Sequence, residues 1–210
     1  MPAPSFLRLL PLPALMVALA ACGDSGSGGS SGSDGEPAAV APVAEDASLA
    51  WTAQLESDWS PTDAVAAGDV TVLSTSWEID EGSEVVAYDA DGAVAWEYGD
   101  VYGGVLLAAV GDDQVLACSD DQAVVLSAAD GSVVDEVAAD DERCPVADDD
   151  AGIPVDHDDD AYTVSGTDLQ VSGPDGDYSV ALDVADPEIW GVDGGLVAFD
   201  DATDRVLLYR

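Results

Sequence analysis

Histidine, lysine and clustered carboxylates are the side chains most able to carry chemistry, and in this chain they set narrow limits. His157 is the only histidine, so any Ser-His-Asp or Cys-His mechanism has to pass through it. It stands in "PVDHDDDAY", where Asp156, Asp158, Asp159 and Asp160 favour the imidazolium. A charged imidazole is a poor general base near neutrality, so no catalytic residue is assigned. All four basic residues are arginines, which excludes Schiff-base chemistry and a phosphate loop built on lysine. Ten acids fall between positions 140 and 160 (Asp140, Asp141, Glu142, Asp148, Asp149, Asp150, Asp156, Asp158, Asp159, Asp160). Their oxygens suit calcium or magnesium, but no run has the spacing of a calcium loop with its glycine at the sixth place and glutamate at the twelfth. They read as solvated loop, with no metal site and no bound cofactor expected.

The cysteines are more informative. Arg8 precedes an apolar run from Leu9 to Ala21, 13 residues interrupted by Pro11 and Pro13. That is shorter than the ~20 residues of a membrane-spanning helix, and its pattern is that of an export signal. Leu19-Ala20-Ala21-Cys22 resembles the lipobox of bacterial lipoproteins. The resemblance implies that residues 1–21 are removed and that Cys22, acylated, anchors the mature chain to the cell membrane on its extracytoplasmic side. From Gly23 to about Pro42 the chain is mostly Gly, Ser, Asp, Ala and Pro. Such a tract buries too little to offset its ordering entropy, so residues 22–46 are expected to form a disordered linker holding the folded part on average ~25 Å from the bilayer. With Cys22 lipidated, Cys118 and Cys144 remain as a pair in an oxidising compartment, and a disulfide between them is expected. Such a bond is worth ~3 kcal/mol in the chain-entropy treatment.

Charge restricts the partners. Forty-four Asp and Glu against four Arg give a formal net charge of −40, which excludes nucleic-acid binding through phosphates and disfavours a polybasic attachment to lipid. A hydrophobic content of 48% means that the acids decorate a folded surface rather than a disordered tail. A salt-rich habitat and the general acidity of some exported bacterial proteins both account for it.

Positions 47–210 must fold into the element that these features serve. "DVTVLSTSW", "EVVAYD", "AVAWEY", "QVLACS", "AVVLSA" and "SVVDEV" are short runs rich in Val, Leu, Tyr and Trp, bounded by Asp and Gly. They predict strands, and nothing of ten residues or more has a capped helical period. Asp-Gly falls between strands in "YDADGAVAW", "LSAADGSVVDEV" and "VSGPDGDYSVAL", with the glycines at 92, 131 and 176. A period near 40 residues with several strands per unit is the sequence sign of a β-propeller. "VVAYDADGAVAWEY" resembles the repeat of quinoprotein-like propellers (PQQ-like repeats); the second and third units depart from it, with Val134-Asp135 and Ser179-Val180 where an aromatic is expected.

The resemblance implies an all-β, propeller-like fold; its relatives carry seven or eight blades, whereas parsing four strands per unit gives this chain about four, near 61–97, 103–137, 152–182 and 188–209. The last is one strand short, and "SLAWTAQLE" (Ser48 to Glu56) is a spare strand ahead of the first, so the two are expected to combine and remove an open edge. A small ring, an open arc, a ring made from two chains and a shortened product all remain open, and a β-sandwich has the same strand spacing. Trp51, Trp59, Trp77, Trp96 and Trp190 are expected to wedge between blades rather than stack on a planar ligand. The expected function is a lipid-anchored, extracytoplasmic binding or scaffold module, not an enzyme, with a protein or envelope polymer as partner. A quinoprotein-type oxidoreductase or its remnant, and a purely structural envelope protein, are the competing readings.

Overall fold

The computed structural model describes residues 43–56, 58–77, 82–101, 103–145, 162–173 and 176–210. The signal, Cys22, the Gly/Ser tract, His157 and Asp148–Asp150, Asp156 and Asp158–Asp160 lie outside the described residues.

The described chain forms fifteen strands: β1 (Leu49–Gln54), β2 (Ser60–Ala67), β3 (Val70–Ser76), β4 (Ser83–Tyr88), β5 (Val94–Val101), β6 (Leu106–Val110), β7 (Gln114–Cys118), β8 (Ala123–Ser127), β9 (Val133–Val137), β10 (Tyr162–Ser165), β11 (Asp168–Gly173), β12 (Gly176–Ala181), β13 (Glu188–Val192), β14 (Gly195–Asp200) and β15 (Arg205–Tyr209). They make four antiparallel sheets, ordered β2-β3-β4-β5, β6-β7-β8-β9, β10-β11-β12 and β1-β15-β14-β13. Each of the six sequence runs singled out above forms or contains a strand. The third sheet shows three strands among the described residues where four were expected, and positions 152–161 of that expected blade lie outside the described residues.

The spare N-terminal strand completes the last sheet. β1 pairs with β15 from Leu49↔Tyr209 to Gln54↔Arg205, and Ser48 and Arg210 exchange backbone hydrogen bonds of 3.0 and 3.1 Å. The packed unit also starts earlier than position 47. Val43 is fully buried; its N–H donates to the Tyr162 hydroxyl at 3.2 Å, and its carbonyl accepts from the Tyr178 hydroxyl. Two tyrosines of the third sheet therefore turn the end of the expected linker into part of the core.

Face-to-face packing of the sheets rules out a two-layer sandwich and sets an order that differs from the order in the chain. One core cluster joins the first and second sheets through Val72, Val85, Trp96, Leu107, Val115 and Leu126. A second joins the fourth and first through Trp51, Leu73, Tyr88, Trp190, Phe199 and Leu208. A third joins the third and fourth through Leu169, Val171, Val180, Leu196, Leu207 and Tyr209. The order in space is thus third, fourth, first, second. Among the described residues no core cluster joins the second sheet to the third, the two blades adjacent in sequence, so the described sheets line up as an arc.

Two tryptophans clamp neighbouring blades. Trp96 lies on β5 over the β8–β9 turn, so close that a Cβ on Gly131 would sit 2.7 Å from its ring; its indole N–H donates to the Ala128 carbonyl at 2.8 Å. Trp51 on β1 covers the β4–β5 turn in the same way, with a Cβ on Gly92 meeting it at 2.9 Å. Both glycines have positive φ, 78° and 69°, so the Asp-Gly turns satisfy hairpin geometry and ring contact together.

Gly131→Ala and Gly166→Ala should separate these two demands. Both sites have positive φ, +69° and +62°, but a Cβ at Gly166 meets open space. Gly166→Ala is expected to cost about 1–2 kcal/mol for the backbone alone, and Gly131→Ala a further 1–3 kcal/mol for overpacking against Trp96. Urea unfolding of the two variants measures the difference.

Candidate functional site

The seam between the first and second sheets is built by polar stitches on its inner side. Asp63, buried in β2, accepts the Ala64 N–H at 2.7 Å with one carboxylate oxygen and the Leu107 N–H at 2.6 Å with the other. The Ser74 hydroxyl donates to the Val105 carbonyl at 2.7 Å, and the Ser83 hydroxyl donates to the Gly103 carbonyl. A buried carboxylate is tolerable only when its oxygens are bonded, so Asp63 is a structural tie between β2 and β6. Sequence reasoning passed over it, although a lone aspartate inside "TDAVAA" is the kind of interruption that marks such a tie.

On the outer side of the same seam lies a groove of about 420 Å³, bounded by Tyr98 from β5, by Gln122 and Ala123 ahead of the body of β8, and by Glu136 and Val137 from β9. Asp121 and Glu136 give its rim a negative edge. It offers hydrogen-bond acceptors and a little apolar wall, without a nucleophile–base pair.

Further round the arc, where β1 and the first sheet meet, acids crowd together. Glu84 has its pKa pushed above the ordinary carboxylate value, first by burial and then by the charges of Glu97 and Glu56. Burial, with smaller contributions from Glu84 and Glu97, pushes Tyr88 up to about 12, so it remains a neutral phenol against Trp51, whose ring centroid is 5.3 Å away. The Trp51 and Trp190 indole N–H groups have no hydrogen-bond partner in the structure. In the turn that Trp51 covers, the Asp89 carbonyl, which corresponds to that of Ala128, accepts the Gly92 N–H at 3.0 Å. Both rings sit in the apolar cluster between the fourth and first sheets, as expected for wedges. Trp77 differs, being 41% exposed.

The structure joins Cys118 to Cys144 by a disulfide, with Cα atoms 5.8 Å apart and a sequence separation of 26. Of the clustered acids, Asp141 is engaged locally: it accepts the Arg143 backbone N–H at 3.0 Å and its guanidinium at 2.8 and 3.0 Å. These bonds hold the Asp141 carboxyl down at about 2. Among the described residues no three His, Cys, Asp or Glu side chains are grouped to hold a metal ion.

The family described as "Outer membrane protein assembly factor BamB" (PQQ_2) matches residues 27–210. Among solved structures, BamB from Moraxella catarrhalis is similar at 19% identity and a TM-score of 0.35, over 75% of this chain and 51% of that one. The chain therefore spans about half the length of that protein. No curated protein matches the chain.

Because the folded-state pKa of Glu84 is raised above its unfolded value, its favourable protonated form is fully present below the unfolded pKa and is lost as pH rises through the folded one. Acidification from neutral pH toward about 4.3, the unperturbed glutamate value, should therefore stabilise this region. Glu84→Gln should raise Tm at pH 7 and converge with the unmodified chain near pH 4. Thermal unfolding across that range would contradict the assignment if the two curves ran parallel.

Proposed function

We propose, from the premise that this chain belongs to the PQQ_2 family described as outer membrane protein assembly factor BamB, that it is a non-enzymatic scaffold of the cell envelope. In this reading residues 1–21 are its signal, acylated Cys22 anchors it on the extracytoplasmic side of the membrane, and residues 22–42 space it from the bilayer. The blades present a rigid acidic surface to a protein partner, as an assembly factor must hold another protein in place. The family match over residues 27–210 carries the proposal.

Physical chemistry supports the same division of labour. The arc spends its buried polar groups on holding blades together: Asp63 on two backbone N–H groups, Trp96 on the Ala128 carbonyl and Tyr209 on the Asp183 N–H at 2.7 Å. What it leaves at the surface is mostly carboxylate. A partner would meet a face of one charge sign, which speeds the encounter with basic surfaces and makes binding weaken with salt.

Two measurements test the reading. Intact mass of protein extracted from the membranes of a bacterial host should begin at Cys22 with acyl chains attached, and Cys22→Ala should release the chain to the soluble fraction. A photo-crosslinker at Glu136, on the rim of the groove, should yield a discrete adduct with an envelope protein. An unmodified soluble chain would remove the anchor, and a cofactor absorbance band in the purified protein would replace the scaffold by an oxidoreductase.

A further inference from the structure

The two ends of the arc are finished differently. On the third sheet, alternate residues pack against the fourth, while Thr163, Ser165, Gln170, Ser172 and Ser179 face outward and are exposed. Gln170 and Ser179 bond to each other across that outer face at 2.9 Å. Such a face is adapted to water. On the second sheet the alternation gives two apolar faces instead. Val115, Ala117, Val124 and Leu126 pack on the first sheet, whereas Leu116, Cys118, Ala123 and Val125 point the other way. Leu116 is 0% exposed although no further blade lies there among the described residues.

Part of the chain lies on that face. After β9 the backbone makes two successive turns, with Asp141 N–H donating to the Ala138 carbonyl at 3.0 Å and Cys144 N–H donating to the Asp141 carbonyl at 2.9 Å. Asp141 and Arg143 lock the second turn with a 2.8 Å ion pair. Cys144 then packs against the Leu116–Val125 cluster and is bonded to Cys118, which is itself a member of the cluster. The disulfide thus ties a strap, residues 138–145, to an apolar sheet face through Cys144.

We propose that the outer face of the β6–β9 sheet is a masked self-association surface, covered by the 138–145 strap while the Cys118–Cys144 bond is closed and occupied by the same face of a second copy once the bond is opened. The partner face follows from the two ends. The outward face of the third sheet is polar and cannot replace an apolar contact, so among the described sheet ends the complementary apolar face on another chain is the equivalent one, which gives a two-fold, self-complementary pairing. Opening the bond consumes two electrons and two protons from a dithiol, leaving two thiols here and a disulfide in the reductant. Mutual repulsion of two chains of net charge −40 opposes the pairing and is screened as salt shortens the Debye length to about 3 Å at 1 M.

The test compares the full chain oxidised, reduced with dithiothreitol and alkylated, and as Cys118→Ser/Cys144→Ser, each at low salt and at about 1 M salt, by light scattering. The expected result is a monomer when oxidised and a dimer when opened at high salt, with hydrogen exchange in β2–β4 unchanged. Val110→Glu, at the partly buried edge of the same face, should return the opened chain to monomer. A chain that stays monomeric when opened, a dimer already present when oxidised, or assembly insensitive to Val110→Glu would each overturn the proposal. So would loss of protection across β2–β4 on opening, since the bond would then hold the whole fold rather than a strap.

Discussion

Trp51 sits on a strand that belongs by sequence to the beginning of the domain and by hydrogen bonding to its end. β1 pairs with β15 and so completes the fourth sheet, while its indole reaches across to the Gly92 turn of the first. One strand thereby fastens the last blade to the first. Everything else in the arc follows from this placement. With the fourth and first sheets made neighbours, the second can pack only on the far side of the first, and the third only on the far side of the fourth. A propeller blade is apolar on both faces unless it is terminal, because each internal sheet must bury both against a neighbour. In the order third, fourth, first, second the half-polar third sheet lies at one end, and the second sheet, apolar on both faces, lies at the other with Cys144 packed on its outer face.

The same rule explains where the repeat decays. Trp96 is answered by Gly131 and Trp51 by Gly92, but the place four residues after Gly131 is taken by the exposed Asp135. No following blade lies beside β9 among the described residues for a tryptophan to clamp. Gly176 shows the complementary loss at the other end, with open space where an indole would rest. Of the departures seen in the sequence, Val134-Asp135 falls at an end of the arc, whereas Val180 is buried in the seam between the third and fourth sheets. The acidic character has a matching cost: Glu56, Glu84 and Glu97 gather at the seam that Trp51 closes, so the clamp works against like charges, and apolar burial between sheets has to offset them.

Much of this was legible in the sequence. Composition and alternation were enough for an all-β chain, Asp-Gly turns predicted hairpins that occur at Gly92 and Gly131 with the required positive φ, and the strand count, with the propeller resemblance, raised the expectation that "SLAWTAQLE" completes the short last blade, as β1 does. These are local properties, fixed by side-chain alternation and by the backbone freedom of glycine, and they survive in any arrangement of the blades. The absence of lysine and the single histidine likewise limited the chemistry before any geometry was known.

Only the tertiary structure decided which blades are neighbours. Spacing along a chain counts repeats but carries no information on which faces meet, so it could not be read from it that the second and third sheets, consecutive in sequence, share no core cluster among the described residues. The tie made by Asp63, the burial of Val43 under Tyr162 and Tyr178, and the strap that Cys144 lays over Leu116 all join residues distant in the chain. Each depends on the closeness of two surfaces, and that closeness exists only after the arc has formed.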